Sequence, residues 1–223
     1  MKLIIALDNV YYSKALELMI SLEPYVDGFK INHTLLEHTN IFKNYKGELF
    51  IDLKLFDTPN TICSVLENIL EKGATMTTIS TFNNSEVFEC LHQYSEDIKL
   101  LGVTYLTSWT ENEQFEITRE VKRNMWQRHI DRIVKFGFAG IICSAQDIVD
   151  ITEVNLNLLR VCPGIVFRSS NSGQSRTTAP RLAQELGADY GVIGRSVTQA
   201  YHPVEMIQEI KETLKFRLIS ERI

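Results

Sequence analysis

The segment FIDLKLFDTPNT, residues 50–61, sets three ionisable side chains into an otherwise apolar stretch. Asp52 and Lys54 are two residues apart, so on a strand both side chains point to one face. Their neighbours are Phe50, Ile51, Leu53 and Leu55, and a charge in such company is costly unless it is paired. Asp57 follows on the loop, within reach of Lys54. A lysine held between two carboxylates stays cationic, because nearby anions raise its pKa. It can then donate a proton to a carbanion forming beside it. A carboxylate placed next to a substrate's own carboxylate disfavours the bound ground state, and loss of CO₂ relieves that repulsion. A purely structural ion pair at a strand end would use the same residues, so spacing alone leaves both readings open. Thr58 and Pro59 then read as a helix start, with Thr58 as N-cap and Pro59 at the first helical position.

Other charged residues end apolar runs in the same way: Asp8 after LIIAL, Lys30 in GFKI and Arg195 after GVIG. Gly164 and Gly194 would let backbone N–H groups approach an anion, and Arg195 offers a fork suited to phosphate oxygens. The bland alternative for Gly194 and Arg195 is a turn glycine and a solvated arginine. No GxxxxGK[ST] and no GxGxxG occurs, so neither a P-loop nor a dinucleotide-binding turn is implied. The five histidines, His33, His38, His92, His129 and His202, stand apart from acids and cysteines at ligand spacing. His33 is expected to cap a helix and the others to lie on helix surfaces; no metal and no cofactor are expected. Trp109 and Trp126 read as packing residues, and the ENEQFEITREVKR run as a solvated helix face.

These residues need elements to position them. Eight short apolar runs recur: 3–7, 26–31, 49–53, 76–80, 98–104, 138–143, 158–162 and 190–193. Most are nearly continuous in apolar residues, as strands buried on both faces are. Helix-period stripes lie between them, such as Ala15, Leu18, Met19 and Leu22, or Ile62, Val65, Leu66, Ile69 and Leu70. Eight alternations favour an α/β fold of the (β/α)₈ TIM-barrel kind, with eight parallel strands, over a doubly wound sheet. No linker or low-complexity segment divides the chain, so residues 1–223 are expected to form a single domain. RSSNSGQSRTT, residues 168–178, reads as one mobile loop after strand seven. In a barrel, chemistry sits at the C-terminal ends of the strands, which is where Asp8, Lys30, Asp52, Lys54 and Arg195 fall.

Composition bounds the partners. With 223 residues, 44% hydrophobic and 23% charged, the chain can bury a substantial core. A net charge of −5 offers no electrostatic footprint for nucleic acid or an anionic membrane. LIIAL is too short for a signal peptide's apolar region and no run approaches a membrane span. Cys63, Cys90, Cys143 and Cys162 form no CxxC and are expected as buried free thiols, as in a reducing compartment. The expected location is cytoplasmic.

The string DLKLFDTPNT resembles the signature of the orotidine 5′-phosphate decarboxylase family, D-x-K-x-x-D followed by x-P-x-T. The shorter D-x-K-x-x-D is shared with 3-keto-L-gulonate 6-phosphate decarboxylase and hexulose 6-phosphate synthase. The resemblance runs through nearly the whole chain in order. It implies cofactor-free decarboxylation of orotidine 5′-monophosphate to UMP in pyrimidine biosynthesis, with Lys54 protonating the C6 carbanion and Asp52 and Asp57 completing the catalytic array. IALD implies a ribose contact for Asp8, and GFKI implies that Lys30 joins the charged network and the ribose. Asp57 and Thr61 would reach the partner's site in a homodimer with shared active sites. VTYLTS implies a hydroxyl at the pyrimidine, from Thr107 first and Ser108 second. CPGI puts Pro163 and Gly164 at the end of the seventh strand, Gln174 matches a phosphate-loop glutamine, and GADYGVIGRS gives Gly194 and Arg195 the phosphate.

The chain departs from the family pattern at three places. Thr58 stands where isoleucine is usual before the proline. Val166 stands where many bacterial members have an arginine after PGI, with Arg168 two residues later as the candidate replacement. The histidine common at the end of the fourth strand is absent from TTISTF. Two rival readings remain: a metal-dependent sugar-phosphate enzyme working through an enediolate, and a barrel that only senses a nucleotide. The first needs a metal-binding glutamate that has no counterpart in the sequence. The second has no use for an Asp-Lys-Asp array.

Overall fold

The structure, a computed structural model, describes residues 1–119, 121–154, 157–168 and 176–215. The eight apolar runs form eight strands: β1 (Lys2–Ala6), β2 (Gly28–Ile31), β3 (Glu48–Leu55), β4 (Met76–Ser80), β5 (Lys99–Val103), β6 (Gly140–Ile142), β7 (Leu159–Ile165) and β8 (Tyr190–Ile193). Every neighbouring pair is parallel, and β8 pairs with β1 to close the barrel. Nine helices stand among the described residues: α1 (Tyr12–Leu22), α2 (Pro59–Glu71), α3 (Ser85–His92), α4 (Glu111–Thr118), α5 (Lys122–Lys135), α6 (Ile148–Val154), α7 (Pro180–Glu185), α8 (Arg195–Thr198) and α9 (Pro203–Lys215).

The helix-period stripes face inward as expected. Ala15, Leu18, Met19 and Leu22 of α1 are buried, as are Ile62, Leu66 and Ile69 of α2. Each large apolar side chain so buried contributes roughly 1.5–3 kcal/mol. Ile4, Phe50, Met76, Leu101, Val161 and Val192 fill the barrel itself, in a cluster separate from the strand–helix layer. The lumen is therefore a packed core, as in barrels of this size. The crossover between β2 and β3 carries no α-helix. It is a 3₁₀ segment, His33–Phe42, broken by non-helical geometry at His38. Its threonines, histidines and asparagine favour caps and turns over helix interiors. Asn32, not His33, caps it, accepting from the Thr34 N–H.

A polar cluster closes the N-terminal end of the lumen. Glu48 accepts from Thr75 Oγ1 at 2.7 Å, Tyr190 OH at 3.0 Å and Lys99 Nζ at 3.1 Å. Three further expectations are corrected here. Cys63 and Cys90 are half-buried rather than buried, and they face each other from α2 and α3, joined as a disulfide with Cα atoms 6.9 Å apart. Cys143 and Cys162 are the buried free thiols. His129 is not on a helix surface: it is 3% exposed, between α5 and the end of β4. Trp126, 1% exposed, packs as expected. Among the described residues no helix is long and apolar enough to cross a membrane.

Candidate active site

The C-terminal end of β3 departs from a regular strand. The β3–β4 register shifts between Ile51 and Leu55, and Lys54 within that bulge has φ +50°. A lysine pays for left-handed backbone in strain. The bulge frees its amide from the ladder, and Thr78 Oγ1 on β4 accepts it at 2.8 Å. The same hydroxyl donates to Asp52 Oδ1 at 2.8 Å. One threonine therefore holds both the backbone of the lysine and the side chain of the acid. Asp52 and Lys54 do converge, but through this irregularity rather than through strand alternation alone.

Lys54 Nζ lies 2.8 Å from both oxygens of Asp52. Lys30 Nζ, from β2, lies 3.2 Å from Asp52 Oδ2 and 2.5 Å from Asp8 Oδ2 beyond β1. The result is a row of alternating charge, Asp8–Lys30–Asp52–Lys54. Its interior members are nearly dry, with side-chain exposures of 8% for Lys30 and 11% for Asp52. Lys54, at 45%, is the open end. Burial works to lower the pKa of Lys30, but Asp52 and then Asp8 outweigh it and hold the value above the usual lysine range. Burial likewise works to raise Asp52, yet Lys30, Lys54 and the Thr78 hydrogen bond hold it below the usual carboxylate range. Both interior groups are thus held ionised by their neighbours. Asp8 Oδ1 is buried without a hydrogen-bond partner among the described residues.

This row forms one wall of a cavity of about 780 Å³ at the C-terminal end of the barrel. Thr107 and Ser108, after β5, form another part of the wall, and Pro163, Gly164, Gly194 and Arg195 the side beyond them. Gly164, in a break of the β7–β8 register, has φ +76°, which glycine adopts without strain. Gly194 begins α8 at φ −106° and ψ −110°, outside the regions open to residues with a Cβ. The ends of the loop after β7 are zipped together, with Thr178 N donating to Gly164 O and Val166 N to Thr178 O.

A sequence profile of the orotidine 5′-phosphate decarboxylase / HUMPS family matches residues 1–210. The chain belongs to that family. An orotidine 5′-phosphate decarboxylase of Dictyoglomus turgidum is 34% identical over 240 residues, covering 96% of this chain and 95% of the relative. One from Lawsonia intracellularis is 30% identical, covering 94% and 97%. The fold matches the orotidine 5′-phosphate decarboxylase structure from Lactobacillus acidophilus with a TM-score of 0.78 at 23% identity, over 96% of this chain and 99% of that one. It also matches the enzyme of Methanocaldococcus jannaschii complexed with the inhibitor BMP, with a TM-score of 0.75 at 19% identity, over 96% and 99%. The barrel of this chain is thus the barrel of its family.

Ten of the residues singled out in the sequence line the one cavity: Asp8, Lys30, Asp52, Lys54, Thr107, Ser108, Pro163, Gly164, Gly194 and Arg195. Asp57 and Thr61 do not. Asp57 is exposed, accepts from the Thr58 N–H at 2.7 Å and makes no ion pair with Lys54. Thr58 occupies the N-cap position of α2, but its hydroxyl meets Thr61 Oγ1 at 3.0 Å instead of a backbone N–H. Arg168 turns away from the cavity and pairs with Glu209 of α9 at 2.5 Å. Its backbone is left-handed, φ +58°, and it does not line the cavity, whereas Val166 does. Gln174 lies outside the described residues. Sequence reasoning missed Thr78, whose role depends on a bulge, and the trio Tyr105, Asp147 and Arg176. Asp147, 1% exposed, takes both terminal nitrogens of Arg176, at 2.5 and 2.8 Å, beside the Tyr105 hydroxyl. These three arise on three separate loops, and only the fold brings them together.

Proposed function

We propose that this chain decarboxylates orotidine 5′-monophosphate to UMP, without metal or organic cofactor, in pyrimidine biosynthesis. The observation that carries the reading is the alternating Asp8–Lys30–Asp52–Lys54 row, dry at its interior and open at Lys54, set in one cavity with Gly164, Gly194 and Arg195. The nucleotide phosphate sits against Gly194, Arg195 and Gln174, far from the reacting carbon. Its binding energy secures the base against the charged row, as binding energy realised in the transition state should. The pyrimidine contacts Thr107 or Ser108, and the ribose contacts Asp8 and Lys30. The C6–carboxylate bond breaks, CO₂ departs, and the electron pair stays on C6. Lys54 stabilises this carbanion and gives it a proton from Nζ. The lysine then recovers a proton from water through its open side. Asp52 holds Lys54 and crowds the substrate carboxylate.

The proposal includes a homodimer in which Asp57 and Thr61 complete the neighbour's site. Both are exposed beside Phe56, 68% exposed, and Phe82, 41% exposed, an apolar surface suited to a second copy. It also places the enzyme in the cytoplasm. No nucleic acid or membrane takes part. A steady-state absorbance assay with orotidylate tests the whole reading. Turnover that persists in EDTA supports it. Activity that vanishes with chelator and returns with Mg²⁺ transfers the chain to the metal-dependent sugar-phosphate branch. Tight binding of UMP without turnover leaves only a nucleotide sensor.

A further inference from the structure

Among the described residues four cations line the cavity: Lys14, Lys30, Lys54 and Arg195. Two of them are already committed. Lys30 lies between Asp8 and Asp52, and Lys54 pairs with Asp52. With those two acids the row is neutral, and no other Asp or Glu among the described residues lines the wall. Lys14 and Arg195 therefore give the rest of the wall its charge. A phosphomonoester carries roughly −1.5 to −2 at neutral pH, so Arg195 alone leaves about one negative charge unmatched.

The neighbouring arginines do not supply the balance. Arg168 does not line the cavity, and Arg176 is held by the buried Asp147. Residues 169–175, which complete the loop after β7, include no lysine or arginine. Lys14 is suitably sited. It stands in the first turn of α1, just beyond the loop after β1, and β1 is hydrogen-bonded to β8 with Ile5 opposite Ile193. The loop after β1 therefore borders the turn that carries Gly194 and Arg195. A Cβ placed on Gly194 would lie 3.9 Å from the Ala6 Cβ, so the two segments are in contact distance. In the free protein Lys14 bonds Glu17 at 2.7 Å, but the two side chains are 39% and 64% exposed. A surface pair of this kind is weak and readily exchanged.

We infer that Lys14 is a second cationic ligand for the nucleotide phosphate, an inference that rests on the decarboxylase reading above. On binding, Lys14 exchanges Glu17 for a phosphate oxygen, and together with Arg195 it matches the charge of a dianion. The test compares UMP with uridine by titration calorimetry in the wild type, Lys14→Met and Lys14→Arg, alongside orotidylate kinetics. Lys14→Met should weaken UMP on the order of tenfold, the scale of one charge-assisted contact. It should lower kcat/KM for orotidylate by a similar factor and leave uridine unaffected. Lys14→Arg should restore UMP affinity, and the gap between Met and wild type should narrow in high salt. Unchanged UMP affinity in Lys14→Met overturns the inference, as does a parallel loss for uridine, which would make Lys14 a matter of wall shape. Failure of the decarboxylase reading would appear separately, as wild-type protein that does not consume orotidylate. Lys14 is a surface side chain, so its variants should fold.

Discussion

The bulge at Lys54 separates the lysine's chemistry from its backbone cost. Lys54 has φ +50°, and left-handed geometry costs a residue with a Cβ roughly 1–2 kcal/mol. Lys54→Ala and Lys54→Gly both remove the amine and its contact with Asp52, so that loss cancels when the two are compared. Glycine relieves the backbone strain but loses roughly 0.5–1 kcal/mol through the greater freedom of its unfolded chain. At the middle of these ranges the Gly variant is more stable than the Ala variant by about 0.75 kcal/mol, or roughly 1.5–3 °C in Tm for a chain of this size. Neither change should unfold the protein, because Lys54 is 45% exposed and Asp52 keeps both Lys30 and Thr78. Both variants should lose turnover by at least about 10²–10⁴, the usual worth of a positioned proton donor. Urea denaturation supplies the stability difference and orotidylate absorbance the activity. An Ala variant as stable as the Gly variant would refute the strain argument, and turnover within about tenfold of wild type in either would remove Lys54 as the donor.

Arg195→Ala should weaken nucleotide 5′-phosphates by about one to two decades, or roughly 1.5–3 kcal/mol, and spare nucleosides; equal losses for UMP and uridine in a binding titration would take Arg195 off the phosphate. His129 is held neutral, its pKa lowered from 6.5 to about 4 by burial and then by Arg128 and Arg132. A depressed histidine gives stability that is fully present above the unfolded value and is lost as pH falls from 6.5 towards 4, by up to about 3 kcal/mol. His129→Phe should flatten the urea midpoint across that window, and an unchanged slope would show that another group titrates there. Lys54→Ala and Asp57→Ala, each inactive alone, should recover activity near a quarter of wild type when unfolded and refolded together. Random mixing makes about half the dimers hybrid, each with one intact site; silence with hybrids confirmed by mass spectrometry would make Asp57 a residue of its own subunit.

The strands were legible because buried parallel strands write themselves as apolar runs, and all eight runs coincide with strands to within a few residues. The charged row was legible in part: ions in such runs must find partners, which pointed to Asp52 and Lys54, while the place of Lys30 in the row came only through the resemblance and the expected contact of Asp57 with Lys54 is not formed. Two kinds of feature were not. Local backbone choices, such as the Lys54 bulge and the left-handed backbone at Arg168, depend on their surroundings rather than on the residue. Arg168 looked suited to an anion in the sequence, yet its backbone turns it to Glu209 on α9, more than forty residues away. Long-range pairings are equally silent. Asp147 follows a short strand, and Arg176 lies beyond a loop of serines, with nothing in either segment naming the other. His129 shows a third limit. On α5 it follows a mixed-charge run that suggests a solvated face, but Phe82 and Thr81 at the end of β4 cover it.

The two ends of the lumen show how one barrel keeps stability and chemistry apart. At the N-terminal end Glu48 is closed in by Thr75, Tyr190 and Lys99. Its pKa is held below the usual range because these partners outweigh burial. Thr75, Tyr190 and Lys99 all turn their donors to Glu48, so the acid is committed within the chain. At the C-terminal end the charges are also matched, but the row ends on a half-exposed lysine, and Asp8 keeps a buried oxygen without a partner. An unmet acceptor of that kind costs roughly 1–3 kcal/mol. A packed apolar layer of Ile4, Phe50, Leu101 and Val192 lies between the two clusters. The closed cluster can therefore secure the strands while the open row keeps its unmet groups for substrate. A substitution at Glu48 should accordingly act on stability before activity, and one at Asp8 on activity before stability.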